Sequence, residues 1–219
     1  TVLIEKPLFE KNYKLNIKKN KYFVGYNLRY HPVVQFIKKI IKNKKIFSIN
    51  LFCSSFLPDW RKNRDYTNTY SSKKKFGGGV LLELSHELDY LQWLFGKVTK
   101  IESATVDKIS NLNINVEDRT IVSGKIKSIS FILNLNFFSK INERTIIIDG
   151  KNFSLKGDLN KNFIEYVLHN KKKEIKFKNK KNFSYILQNQ DFLKNNFKNL
   201  CSLYEGLNII KLIEKIKKK

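Results

Sequence analysis

The chain has 219 residues, enough for one ordinary domain with a full core or for one domain plus part of another. With 42% hydrophobic and 13% aromatic residues, wholesale disorder and a disulfide-stapled scaffold are both excluded. The net charge of +24 ordinarily suggests nucleic acid or an anionic membrane, but only five of the 43 basic residues are arginine. The excess is lysine in the company of abundant Asn, Ile and Phe, which reads as genome composition and solvated surface. Neither a nucleic-acid nor a membrane partner is therefore expected. No run approaches the roughly 20 apolar residues of a membrane span, and no basic segment with an apolar signal core opens the chain, so a cytoplasmic protein is expected. Cys53 and Cys201 lie in apolar surroundings without metal-ligand spacing, which makes them buried free thiols and gives no metal site. The sequence contains no methionine and starts inside an apolar run, Thr1-Val2-Leu3-Ile4, as a fragment of a longer gene product does.

Val2 to Ile4 reads as a buried strand that emerges at Glu5-Lys6-Pro7, where proline cannot continue pairing. Strand ends of this kind carry ligands in open α/β sheets. The lysine-rich stretch from 9 to 20 reads as a helix or connector, and Tyr22 to Tyr30 as a second strand stopped by His31-Pro32. Val33, Phe36, Ile37, Ile40 and Ile41 have the spacing of an amphipathic helix. Ile46 to Phe56 is strand-like, and Pro58 to Phe76 is a polar loop long enough to suspect function. After Gly77-Gly78-Gly79, the stripe Leu81, Leu84, Leu88, Leu91 and Phe95 predicts one helix capped by Gly96. Strand patterns follow over 98–106, 120–123, 128–138, 144–149, 152–156, 163–168 and 174–177. Consecutive strands without helices between them predict a largely antiparallel sheet. Two helices, over 183–197 and 203–217, finish the chain.

Helical spacing places Glu83, His86 and Tyr90 together opposite the leucine stripe, with Asp89 three residues from His86. An imidazole beside carboxylates and a phenol is suited to general acid or base work near neutral pH. Lys6 has a fixed position between a buried strand and a proline. Arg29, Arg61 and Arg64 sit at a strand end or in the long loop, where guanidinium groups suit hydroxyl, carboxylate or phosphate recognition. His31 and His169 read as structural.

Glu5-Lys6-Pro7, Gly25-Tyr26-Asn27-Leu28-Arg29-Tyr30-His31-Pro32, Asp59-Trp60-Arg61, the three glycines with Glu83, His86 and Asp89, and Tyr204-Glu205-Gly206-Leu207 occur in this order. Together they resemble the Gfo/Idh/MocA oxidoreductases, NAD(P)-dependent enzymes acting mainly on sugars, cyclitols and related polyols. The resemblance implies a fold of mixed α+β and α/β character. Residues 1–30 would be the C-terminal strands of an incomplete Rossmann dinucleotide-binding domain. Residues 31–219 would form an open, largely antiparallel sheet domain with helices on one face, for substrate binding and oligomerisation. The family's glycine-rich turn precedes the position of Thr1, so the chain alone is expected to bind NAD or NADP poorly. The resemblance further implies that Glu5, Lys6 and Pro7 face the cofactor, and that Lys6, Glu83 and His86 are catalytic. Arg29, Arg61, Tyr66, Asp89 and Tyr90 are the implied substrate contacts, and the open sheet implies a dimer or tetramer. Two positions depart from the family pattern: Glu83 replaces its aspartate, and Ser85 directly precedes His86 where the family has glycine and one further residue. The wording Leu84 to Tyr90 resembles a branch encoded among genes for bacterial surface sugars, which suggests a sugar or nucleotide-sugar substrate. The second reading is a catalytically inactive binding or assembly module built on the same sheet.

Overall fold

The structure is a computed structural model and describes residues 1–13 and 21–219. In chain order the elements are β1 (Val2–Ile4), β2 (Tyr22–Val24), α1 (Pro32–Ile40), β3 (Ile46–Phe56), α2 (Val80–Glu83) and α3 (His86–Phe95). They continue with β4 (Lys100–Asp107), β5 (Arg119–Ile126), β6 (Ile129–Asn136), β7 (Phe138–Gly150), β8 (Phe153–Asp158), β9 (Phe163–Leu168) and β10 (Lys171–Lys176). The chain ends in α4 (Phe183–Leu193), β11 (Cys201–Ser202) and α5 (Leu203–Lys217).

An eight-stranded sheet in the order β10-β9-β8-β7-β3-β6-β5-β4 forms the body of the molecule. Its pairs are antiparallel except β3 with β6, whose parallel register runs from Ser48 opposite Ser130 to Ser54 opposite Asn136. Strand alternation sets the faces. Ile49 and Leu51 of β3, Leu133 and Leu135 of β6, and Ile146 and Ile148 of β7 are buried in the same core as Val33 and Ile37 of α1 and the leucines of α2 and α3. Ile132 and Ile147, of opposite parity, are exposed. A second sheet, β1-β2-β11, pairs β1 with β2 in parallel and takes β11 from the far end of the chain.

Three expectations change. The strand expected over Tyr22 to Tyr30 ends at Val24, and Asn27–Tyr30 forms a 3-10 turn that buries Leu28 and Tyr30 without pairing. The single helix expected after Gly79 is two, broken at Leu84-Ser85, where Ser85 Oγ donates to Leu82 O at 2.7 Å and so competes for a helix carbonyl. The helix at 183 stops at Leu193. Of the stretch 9–20, residues 9–13 form neither helix nor strand and 14–20 lie outside the described residues. No described helix is long and apolar enough to cross a membrane.

Candidate active site

Lys6 stands at the carboxyl end of β1, where a strand of a parallel pair delivers its residues to the sheet edge. The Lys6–Pro7 peptide is cis. Lys6 Nζ donates to the backbone carbonyl of Glu83 at 2.7 Å, which brings the first segment against α2. Glu83 is buried, and its Oε2 accepts from Ser71 Oγ at 3.0 Å, while Oε1 is enclosed without a hydrogen-bond partner among the described residues. His86 opens α3 just after the helix break, 7% exposed, with its ring edge-on to Tyr26 at 5.6 Å. Its Nδ1 is likewise enclosed and unpartnered among the described residues. Lys6, Glu83 and His86 thus converge, and two buried polar atoms beside them, Glu83 Oε1 and His86 Nδ1, have no partner among the described residues.

The tri-glycine turn holds this arrangement. A Cβ at Gly78 would lie 2.4 Å from Tyr70 O, and one at Gly79, whose φ is +114°, would lie 2.4 Å from the Glu117 carboxylate. Only glycine lets the turn press against Tyr70-Ser71 and set Ser71 beside Glu83.

Burial and nearby charge shift the titration of these groups. Burial is the main cause that holds His86 well below its ordinary 6.5, and the positive charges of Lys6 and Arg144 add to it. The ring is therefore neutral at pH 7 and able to accept a proton. Burial also lowers Lys6, against the opposing pull of Glu83 and Glu5. The charges that reach these groups identify a residue the sequence reading passed over. Arg144 of β7 lies with Nε 2.8 Å from Oε1 of the fully buried Glu87, with its side chain 21% exposed. Arg144 shares strand parity with the core residues Ile146 and Ile148, and that alternation already pointed it inward. Tyr185 of α4 is a second such residue: the charges of both Glu5 and Arg144 act on its hydroxyl. A helix from the far end of the chain is not placed there by any local pattern.

Four of the residues expected to meet substrate have partners inside the protein. Asp89 takes three hydrogen bonds from Arg29, two from Nε at 3.1 and 3.0 Å and one from Nη2 at 2.7 Å, and both residues are buried. Arg29 Nη1 also reaches Glu205 at 3.0 Å and the Leu200 carbonyl at 3.4 Å, so this is a structural ion cluster. Tyr90 is fully buried, its hydroxyl donating to Glu87 Oε1 at 3.3 Å. Tyr66 accepts the Asn113 N–H at 3.1 Å and ties two loops together. Arg61 remains open to a ligand, lining a cavity with Arg64. Glu5 is exposed and lies against Gly25, where a Cβ would be 3.1 Å from Glu5 Oε2. Glu5 and Lys6, a carboxylate and an amine at a strand end, would suit the nicotinamide end of a dinucleotide in chemistry, with Lys6 reaching towards the neutral imidazole of His86. The 219 residues hold no glycine-rich strand-turn-helix for a pyrophosphate.

The fold is shared with solved oxidoreductases. A levoglucosan dehydrogenase in complex with NADH and levoglucosan superimposes with a TM-score of 0.85 at 15% identity, covering 99% of this chain and 70% of that one. An NAD binding oxidoreductase from Klebsiella pneumoniae gives 0.82 at 12%, covering 99% and 70%. A super-repressor mutant of Gal80p from Saccharomyces cerevisiae gives 0.76 at 16%, covering 91% and 63%. A search of curated protein sequences gives no match. The family model for the oxidoreductase family, C-terminal alpha/beta domain, matches residues 38–219, so the chain belongs to the Gfo/Idh/MocA oxidoreductase family.

Proposed function

We infer that the chain is the substrate-handling part of a dehydrogenase that moves hydride between NAD or NADP and a hydroxyl or carbonyl of a sugar, nucleotide sugar or cyclitol. The observation that carries this reading is the convergence of Lys6, Glu83 and a neutral His86, with Glu83 Oε1 and His86 Nδ1 enclosed and unpaired among the described residues. Oxidising an alcohol to a carbonyl removes a hydride from carbon and a proton from oxygen. The nicotinamide ring, when bound, supplies the hydride acceptor. His86 takes the hydroxyl proton on its imidazole, and in the reverse direction returns it. The ammonium of Lys6 sits where it stabilises negative charge on the same oxygen. Glu83 orients Lys6 through its carbonyl. Arg144, held by Glu87, and the Tyr185 hydroxyl border the same region and would meet further hydroxyls of the substrate. The uncovered sheet face, with Ile132 and Ile147 exposed, is the surface through which copies of the chain would associate as a dimer or tetramer.

The test is NAD(P)-linked oxidation of sugars by the gene product that carries this chain. His86→Ala is expected to lower kcat by roughly 10²–10⁴-fold with dinucleotide affinity unchanged. An unchanged kcat removes His86 from the mechanism. The second reading, a binding module without turnover, draws on Glu83 in place of aspartate and on the helix break directly before His86, together with a repressor among the fold relatives. It predicts sugar binding with no NAD(P)-linked oxidation in any sugar tested.

A further inference from the structure

Arginine is rare in this chain, and its placement is uneven. Arg29, Arg119 and Arg144 are each in an ion pair, with Asp89, Asp107 and Glu87 respectively. Arg61 and Arg64 are in none among the described residues, and residues 14–20 contain no carboxylate that could pair with them. Both line one cavity of about 500 Å³ in the long loop before the glycines, with Asp65, Asn68, Thr69 and Tyr70. The loop is built to hold them there. Arg64 N donates to Arg61 O at 3.3 Å, closing a turn that sets the two side chains three residues apart. The Arg61 guanidinium lies 5.0 Å from the centre of the Tyr70 ring. Asp65, the one carboxylate in the cavity wall, is already occupied. Its Oδ1 accepts Thr67 N at 2.9 Å, and its Oδ2 accepts Thr67 Oγ1 at 2.7 Å and Asn68 Nδ2 at 2.9 Å. Two guanidinium forks that form no ion pair among the described residues, with Asp65 as the single carboxylate beside them, therefore face an open space of small-ligand size.

The wall of this cavity is tied to the candidate active site. Tyr70 precedes Ser71, whose Oγ donates to Glu83, and the Glu83 carbonyl accepts from Lys6. Two hydrogen bonds separate the arginine cavity from the lysine. Planar forks bind carboxylate and phosphate oxygens in pairs, which a lysine ammonium does not.

We propose that Arg61 and Arg64 receive an anionic group of the substrate, so that the sugar handled at Lys6 and His86 carries a phosphate or a carboxylate away from the carbon that reacts. The inference takes its substrate from the dehydrogenase reading, and its test is independent of turnover. Titration calorimetry of the protein at fixed ionic strength compares glucose 1-phosphate, glucuronate and glucose. At least one anionic probe is expected to bind tenfold or more tightly than glucose, and which of the two is tighter identifies phosphate or carboxylate as the source. Arg61→Gln and Arg64→Gln are each expected to weaken the preferred anion at least tenfold, while Lys62→Gln, which removes the same charge from the same loop, leaves it unchanged. Arg64→Lys, which keeps the charge and loses the fork, should fall between and serves where a glutamine variant does not fold. Failure of both anions to bind more tightly than glucose, or an equal loss in Lys62→Gln, overturns the proposal. Absence of NAD(P)-linked oxidation overturns the dehydrogenase reading alone, whereas turnover of neutral sugars with the same kcat/KM as their anionic counterparts overturns the anion site alone.

Discussion

His31 and His86 are both held as neutral rings, and neutrality has a cost in acid. His31 caps α1, its Nδ1 accepting the Val33 N–H at 3.3 Å ahead of Pro32. Burial, reinforced by the charge of Arg144, pushes His31 from 6.5 down to about 4. Between those values the unfolded chain binds a proton that the native state refuses, so native stability falls as pH falls through this window. Acidification from pH 7 to 5 should cost on the order of 2 kcal/mol through His31. His86, held below 6.5 by burial, acts with the same sign. His31→Asn keeps a capping oxygen and removes the titration. Urea midpoints of the two proteins at pH 7 and pH 5 measure the difference: the variant should lose less stability, and equal losses would assign the acid sensitivity elsewhere.

The ends of the helices show where a sequence announces an element and where it conceals one. Ser202 and Glu205 cap α5 reciprocally, Ser202 Oγ accepting Glu205 N at 3.3 Å and Glu205 Oε2 accepting Ser202 N at 2.8 Å. Ser202→Ala removes half of this box and should destabilise the protein by about 1 kcal/mol, read from the shift of its thermal midpoint; a shift indistinguishable from zero would mean that the first turn of α5 is held by packing alone. The same kind of local chemistry broke the predicted helix after Gly79. The leucine stripe was legible because Leu81, Leu84, Leu88 and Leu91 are all buried, but periodicity does not register a serine hydroxyl taking the Leu82 carbonyl. Strand alternation was legible through β5 to β9, since opposite parity means opposite faces. The strand assigned to Tyr22–Tyr30 overran because a 3-10 turn buries the same apolar residues that a strand would. Helical spacing singled out Glu83 and His86, and the fixed place between strand and proline singled out Lys6; the structure brings the three together. The pairing of Arg29 with Asp89 was not legible, because residues sixty positions apart have no shared pattern in one sequence.

At the scale of the molecule, the candidate site lies where the small sheet meets the body of the molecule, and polar ties among the described residues hold that junction. Lys6 to Glu83 is one, and the Asn12 N–H to Glu214 at 2.8 Å is another. The strongest is Arg29, which joins the turn after β2 to Asp89 of α3 and Glu205 of α5. Removing one member of a buried pair strands the other charge, a loss of about 3–5 kcal/mol, whereas replacing both by apolar groups of similar volume removes the desolvation cost as well. Arg29→Met and Asp89→Leu should each lower stability by about that amount, and the double variant by markedly less than their sum. Urea unfolding followed by circular dichroism closes the cycle. If the two losses simply add, the pair is not coupled. If each loss is below about 1 kcal/mol, the range for a solvent-exposed pair, the guanidinium is not holding the junction and the apolar contacts around Val24 and Gly206 must carry it. The coupled outcome makes these residues a frame that holds the junction, tied at 2.7 Å inside the protein.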